Sequence, residues 1–242
     1  MGIKHEVRKI LWKLGYDLSR FEPGGNSLAR RKKLLETFGI DVVFDVGANR
    51  GFYAREMRTA IGYSGKIVSF EPLSGTFSQL QKTSSNDKNW IAVNCALGDK
   101  AGKVEINVSD NTYSSSLLPM MKNHLDSAPY SKYVRTETVE VKTIDDIFDD
   151  YCSSENNIYL KIDSQGYEEK ILKGAKNRLS LIDTVQLEMS LVPLYEGELL
   201  FGELHKLLTE KGYTLVSFEE GFHNPKTGQL LQVDGIYHRF SE

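Results

Sequence analysis

Two carboxylates stand at the ends of successive apolar runs: Asp163 closes "NIYLKID" and Glu188 lies in "TVQLEMS". If those runs are neighbouring strands, both acids reach one edge of a sheet. A pair so placed could take the proton from a weakly acidic hydroxyl, or hold Mg2+ through oxygen ligands. His124 is a third candidate base, because imidazole titrates near neutrality. Earlier in the chain, "FDVGANRG" sets Asp45, Gly47, Asn49 and Gly51 around a turn between a strand and a helix-like segment. The glycines keep side chains out of the way where a helix start aims its unpaired N–H groups at a ligand. Glu71, at the end of "KIVSFEP", is placed to accept hydrogen bonds from both hydroxyls of a ribose.

The turn reads G-A-N-R-G rather than G-x-G-x-x-G, so the close approach of a diphosphate is less well provided for. Asp45 suits a ligand with positive charge, such as the amino group and sulfonium of S-adenosylmethionine, better than a pyrophosphate. A plain capping role between strand and helix is the structural alternative for Asp45. For Glu168, inside a helix, an ordinary helix-face salt bridge is expected.

The elements that must position these groups follow from periodicity. From residue 41 onward, the runs "DVVFDVG", "GKIVSFEP", "WIAVNCALG", "NIYLKID" and "TVQLEMS" have the look of strands buried on both faces. Helical patterns lie between them, and "YTLVSFEEG" and "VDGIYHRF" flank a turn-rich stretch as a hairpin would. The expected fold is α/β: a doubly wound, mostly parallel, seven-stranded Rossmann-like sheet with a C-terminal antiparallel hairpin. Residues 1–40 read as a basic helical preface and 41–242 as the domain proper. The run "RRKK" in that preface reads as a solvated helix face, with contact to a membrane surface or an acidic substrate as the alternative. Residues 102–142 form a long excursion with two strand-like runs around a Ser-, Tyr-, Met- and His-bearing loop, expected to be a substrate loop inserted in the domain. Its Tyr113, Tyr130, Tyr133, Met120 and Met121 offer an aromatic and apolar surface for a sugar ring, and Ser114, Ser115 and Ser116 could hydrogen-bond an acceptor.

A net charge of −3 gives no case for a nucleic-acid partner. No apolar run approaches the roughly 20 residues that span a bilayer, and the first residues lack the apolar core of a secretory signal. Cys95 and Cys152 have no metal-ligand spacing and read as thiols of a reducing cytoplasm.

In combination, "FDVGANRGFYA", "VSFEPLSGTFSQL", "NCALGD", "TIDDI", "YLKIDSQGYEEKILKGA" and "VQLEM" resemble the FkbM family of S-adenosylmethionine-dependent O-methyltransferases over roughly residues 41–216. The resemblance implies a class I methyltransferase fold and an acceptor hydroxyl on a sugar, glycan, glycolipid intermediate or secondary metabolite. It places Asp45, Gly47, Asn49 and Gly51 at the methionine end of the cofactor, Glu71 on the ribose, and Ala96 and Leu97 against the adenine. One departure stands out: the family usually has Asp-x-Glu-Gly where this chain reads Asp163-Ser164-Gln165-Gly166. Glutamine keeps a hydrogen-bonding oxygen but not the charge. A non-catalytic protein that binds an S-adenosyl ligand and an NAD-dependent oxidoreductase are the competing readings.

Overall fold

The computed structural model describes residues 3–240. Helices α1 (Ile3–Lys13) and α2 (Ser27–Thr37) precede β1 (Val42–Val46). Next come α3 (Phe52–Glu56), continued by a π-helical turn over Met57–Ile61, then β2 (Lys66–Phe70), α4 (Ser74–Ser84) and β3 (Trp90–Val93). The excursion holds β4 (Ala96–Leu97), β5 (Gly102–Ser109), α5 (Lys122–Ser127) and β6 (Tyr133–Lys142). The chain returns through α6 (Ile144–Tyr151), β7 (Ile158–Ile162), α7 (Glu168–Lys173) and β8 (Thr184–Ser190). It closes with α8 (Phe201–Glu210), β9 (Thr214–Glu220) and β10 (Gln232–His238).

Seven of these strands form one sheet in the order β3-β2-β1-β7-β8-β10-β9, in which only β10 runs against the rest. The order reverses at β1 and β7, and that switch point opens a crevice beyond the strands' carboxyl ends. The expected doubly wound sheet and terminal hairpin are both present. "WIAVNCALG" is not one strand, however. It breaks after Val93, and Ala96 and Leu97 join β5 and β6 in a separate three-stranded sheet. The inserted segment carries its two strand-like runs as β5 and β6 around residues 110–132, and Ala96 and Leu97 complete the small sheet.

Alternation along the strands splits the sheet into two unlike faces. One face carries Val42, Phe44, Val46, Leu160 and Ile162, packed against α6, α7 and α8 as a continuous apolar layer. The other packs Val43, Ile67 and Tyr159 against α3 and the π-helical turn. Interleaved on that second face are Asp45, Ser69, Lys161 and Gln186, all buried. The strands are covered on both sides, as expected, but a polar seam crosses one of them.

The "RRKK" run departs from its expectation as a solvated face. Arg31 is buried, donating to Glu219 on β9 and, at 2.8 Å, to Glu56, with its guanidinium 4.8 Å from the Tyr53 ring centre. This pairing pins α2 to the sheet, while α1 stands apart with most of its side chains exposed. Removing one partner of a buried ion pair leaves the other charge stranded, at about 3–5 kcal/mol. Arg31→Ala is accordingly expected to lower the unfolding free energy by about 3 kcal/mol or more in a urea titration.

Candidate active site

At the switch point β1 ends in the turn Gly47–Gly51, and β7 ends at Asp163. The two strand ends touch: a Cβ on Gly47, whose φ is 75°, would lie 1.8 Å from the Asp163 carbonyl oxygen. Only glycine fits that approach. Gly51 has a different task. A Cβ there would meet Trp90 and Leu80 at 2.7–2.9 Å, so it is a packing glycine behind the turn, not part of the cleft wall. The cleft has a volume of about 320 Å³, within the range of small-molecule sites. Gly47, Asn49, Glu71, Ala96, Leu97, Asp163 and Glu188 all line it, as expected for the two halves of one site.

Asp45 does not face the cleft. It is fully buried, accepting from Ser69 Oγ at 2.9 Å, and its other oxygen lies 3.5 Å from Lys161 Nζ. Burial raises its pKa against the pull of Lys161 and Ser69. Its partner in the seam is a residue the sequence reading passed over. Lys161 also reaches Asp163 Oδ2 at 3.2 Å and faces the Tyr53 ring at 5.2 Å. Burial alone would push the ammonium down, but Asp163 and Asp45 outweigh it, so the pKa rises and the charge is kept. A lysine in the middle of an apolar strand, two residues before an aspartate, was the signal available for it.

Asp163 and Glu188 do meet. Gln165 bridges them, its Nε2 donating to Asp163 Oδ1 at 2.9 Å and to Glu188 Oε2 at 2.6 Å, while its Oε1 accepts from the Tyr195 hydroxyl at 2.6 Å. In this orientation the amide donors face the two acids and the amide oxygen faces the Tyr195 hydroxyl, so all three partners are matched. Burial and the nearby Asp163 hold the Glu188 carboxyl well above the usual range. The side chain of Asp163 is the more open one, at 36% exposure. The expected Mg2+ does not suit this arrangement. A cation would have to occupy the place of an N–H donor, and no group of three or more His, Cys, Asp or Glu side chains able to hold a metal occurs among the described residues.

Glu71 accepts from the amides of Leu73 and Asn49, each at 2.9 Å; burial outweighs those bonds and pushes it up to about 7. Each of its oxygens retains a further acceptor site. Glu168 is not in a helix-face salt bridge. It is buried and folds back onto Ser164 N and Oγ, both at 2.9 Å, fixing the turn that carries Gln165. His124 is not in the cleft either. It is buried with its ring 5.2 Å from those of Tyr195 and Phe222, and burial pushes it down to about 4, which leaves it neutral.

From the inserted segment, Thr112, Tyr113, Ser115 and Ser116 reach the cleft, and Ser116 Oγ donates to the Gln165 carbonyl at 2.7 Å. Tyr130, Tyr133, Met120, Met121 and Ser114 do not line it. Phe52, at the start of α3, does, and its half-exposed ring lies 6.3 Å from that of Tyr113. Among the described residues, three non-glycine positions have left-handed backbone, Asn49, Thr112 and Gln165, and all three line the cleft. Strain of this kind, worth about 1–3 kcal/mol each, persists where surrounding structure over-determines it, and it gathers at functional sites.

Residues 45–215 match the methyltransferase FkbM domain, which is well over half of the chain. The chain belongs to the FkbM methyltransferase family. It is 24% identical over 167 residues to 2-O-methyltransferase NoeI of Sinorhizobium fredii, covering 65% of this chain and 67% of that one. Among solved structures, the methyltransferase domain of METTL16 shares the fold with a TM-score of 0.50 at 10% identity, over 89% of this chain and 68% of that one. The crystal structure of methyltransferase FkbM from Methylobacillus flagellatus aligns over 81% of this chain at 14% identity, with a TM-score of 0.48. This FkbM-family chain spans 43% of that structure's length.

The buried carboxyl of Glu168 gives this methyltransferase a pH signature. Burial, partly offset by backbone amides, raises it to about 7 from an ordinary 4.5. The folded chain therefore holds that proton more tightly than the unfolded chain. The associated stability is full below about pH 4.5 and is lost as pH rises through about 7. Thermal midpoints of the ligand-free protein are expected to fall between about pH 5 and pH 8, and Glu168→Gln to flatten that fall.

Proposed function

We propose that the protein is an S-adenosylmethionine-dependent O-methyltransferase acting on a hydroxyl of a sugar, glycan or glycolipid intermediate, or of a secondary metabolite. The observation that carries this reading is the position of the Asp163–Gln165–Glu188 bridge, at the carboxyl ends of two central strands, beside the glycine turn and Glu71. The name of the NoeI relative, a 2-O-methyltransferase, supports oxygen as the accepting atom.

The cleft residues fit the cofactor. Gly47 and the left-handed Asn49 leave backbone bare at the turn, Glu71 has acceptor capacity for ribose hydroxyls, and Ala96 and Leu97 offer a small apolar wall for a base. Bound there, S-adenosylmethionine would supply a methyl group on a positively charged sulfur. The chain's own part is to align the acceptor, exclude water and take a proton. Asp163 would take the proton of the acceptor hydroxyl as that oxygen takes the methyl group from sulfur, which leaves as a neutral thioether. Lys161 and Gln165 fix its two oxygens. Glu188, whose carboxyl is held above the usual range by burial and Asp163, takes the second hydrogen bond from Gln165. The Phe52 and Tyr113 rings form the outer wall, where the apolar face of a sugar ring could stack.

The test is methyl transfer from methyl-labelled S-adenosylmethionine to a panel of sugar and glycolipid acceptors, with thermal shifts recorded for S-adenosylhomocysteine and NAD+. Asp163→Asn is expected to lower kcat by about 100-fold or more while leaving the S-adenosylhomocysteine shift in place. Phe52→Ala and Tyr113→Ala should raise KM for the acceptor, and EDTA should leave the rate unchanged. A shift with NAD+ alone sinks the proposal, and S-adenosyl binding without transfer to any hydroxyl would favour a non-catalytic binder.

Ligand affinity should depend on pH with a definite sign. Hydroxyls donating to Glu71 favour its ionised form, so binding releases the proton that burial holds to about pH 7. Affinity for S-adenosylhomocysteine is expected to rise as pH increases through about 7, and Glu71→Gln to remove that dependence.

A further inference from the structure

The N-terminal helix exposes what a globular chain normally hides. In α1, Val7 and Ile10 recur at helical spacing, and the same face continues into Leu14 just beyond the helix end. Ile10 is 60% exposed and Leu14 65%, and the following stretch leaves Tyr16, Leu18 at 68% and Phe21 outside as well. Arg8, Lys9 and Lys13 share the rest of the helix surface with Glu6 and Trp12. Over residues 3–22 five basic side chains face three acidic ones, against a net charge of −3 for the whole chain. Two of the cations are in exposed pairs, Arg8 with Asp17 at 2.7 Å and Lys9 with Glu6 at 3.1 Å. Pairs of that kind hold only weakly in water. Glu22-Pro23-Gly24-Gly25 separates this segment from α2, and nothing crowds either glycine.

We infer that the α1 segment, residues 3–21, is an interfacial anchor that lies on an anionic lipid surface, its apolar stripe in the acyl boundary and its basic arc among the headgroups. An apolar stripe flanked by lysine and arginine is the pattern of helices that lie in a membrane interface. At 11 residues α1 is too short to cross, and no helix among the described residues is long and apolar enough to do so. The excess of positive charge selects anionic lipid over a neutral surface. This contact is independent of the cleft, so it stands or falls apart from the methyl-transfer reading.

Vesicle co-sedimentation of the full chain tests it, using phosphatidylcholine alone and an equal mixture of phosphatidylcholine and phosphatidylglycerol. The expected result is retention on the mixed vesicles only, weakened at about 1 M salt. Retention should drop by about tenfold or more in both Ile10→Asp and the double variant Lys9→Glu, Lys13→Glu. Thermal midpoints of the variants should match the parent, since Ile10 and Lys13 are exposed and Lys9 pairs with Glu6 of the same helix. No retention on the mixed vesicles overturns the inference, and so does equal retention on both kinds. A dimer in solution that Ile10→Asp dissociates, with no vesicle retention, overturns it in favour of a second copy of the chain.

Discussion

Lys161 carries a full charge into the middle of the central strand, and the site is organised around keeping that charge satisfied. A buried ammonium survives only with opposite charge within a few ångströms. Asp45 on β1 and Asp163 at the end of β7 provide it, at 3.5 and 3.2 Å. Because Asp45 is register partner to both Ser69 and Lys161, one row of side chains crosses three strands. Trp90 Nε1 donates to Ser69 Oγ, and Ser69 donates to Asp45, so the row extends to the edge of the sheet. Shifting β7 by one residue would turn Lys161 into the apolar layer under α6 and α7. Register at the cleft edge is thus fixed by electrostatics as well as by packing.

This seam explains what the sequence could and could not convey. Strand identity was legible because Val42–Val46 and Ile158–Ile162 are short, apolar and bounded by turn residues. The break between Val93 and Ala96 was not legible, because "WIAVNCALG" is apolar throughout. The small sheet that captures Ala96 and Leu97 is made by β6, more than thirty residues further on. Nor was the reach of Arg31, whose partner Glu219 lies 188 residues away.

Within the site, spacing located the residues and tertiary contact assigned their work. Gly47 and Gly51 look equivalent in "GANRG", yet one faces a strand carbonyl and the other a tryptophan ring. Asp45 and Glu71 both stand near strand ends. Asp45 points into the polar face and is spent on Lys161, whereas Glu71 lies one residue beyond its strand, at the mouth of the crevice. His124 had the right chemistry for a base and the wrong place, since its position depends on how a 23-residue loop folds between β5 and β6.

The glutamine that departs from the family pattern fits the same electrostatics. Asp163, Glu188 and Asp234 already converge on this edge, and burial together with Asp163 raises Asp234 to about 6. Lys161 is the cation that faces them. A further carboxylate at position 165 would sit against both Asp163 and Glu188 with no added counter-charge, and like charges that close cannot all ionise. An amide in that place does the opposite. It donates to both acids and accepts from Tyr195, so every member of the bridge has a partner. The left-handed backbone at Gln165, with φ of 56°, aims the side chain into that gap, and Glu168 and Ser116 hold the turn from either side. The strain of an unfavourable backbone is thereby offset by a satisfied polar bridge, and the open carboxylate of Asp163 is left facing the cleft.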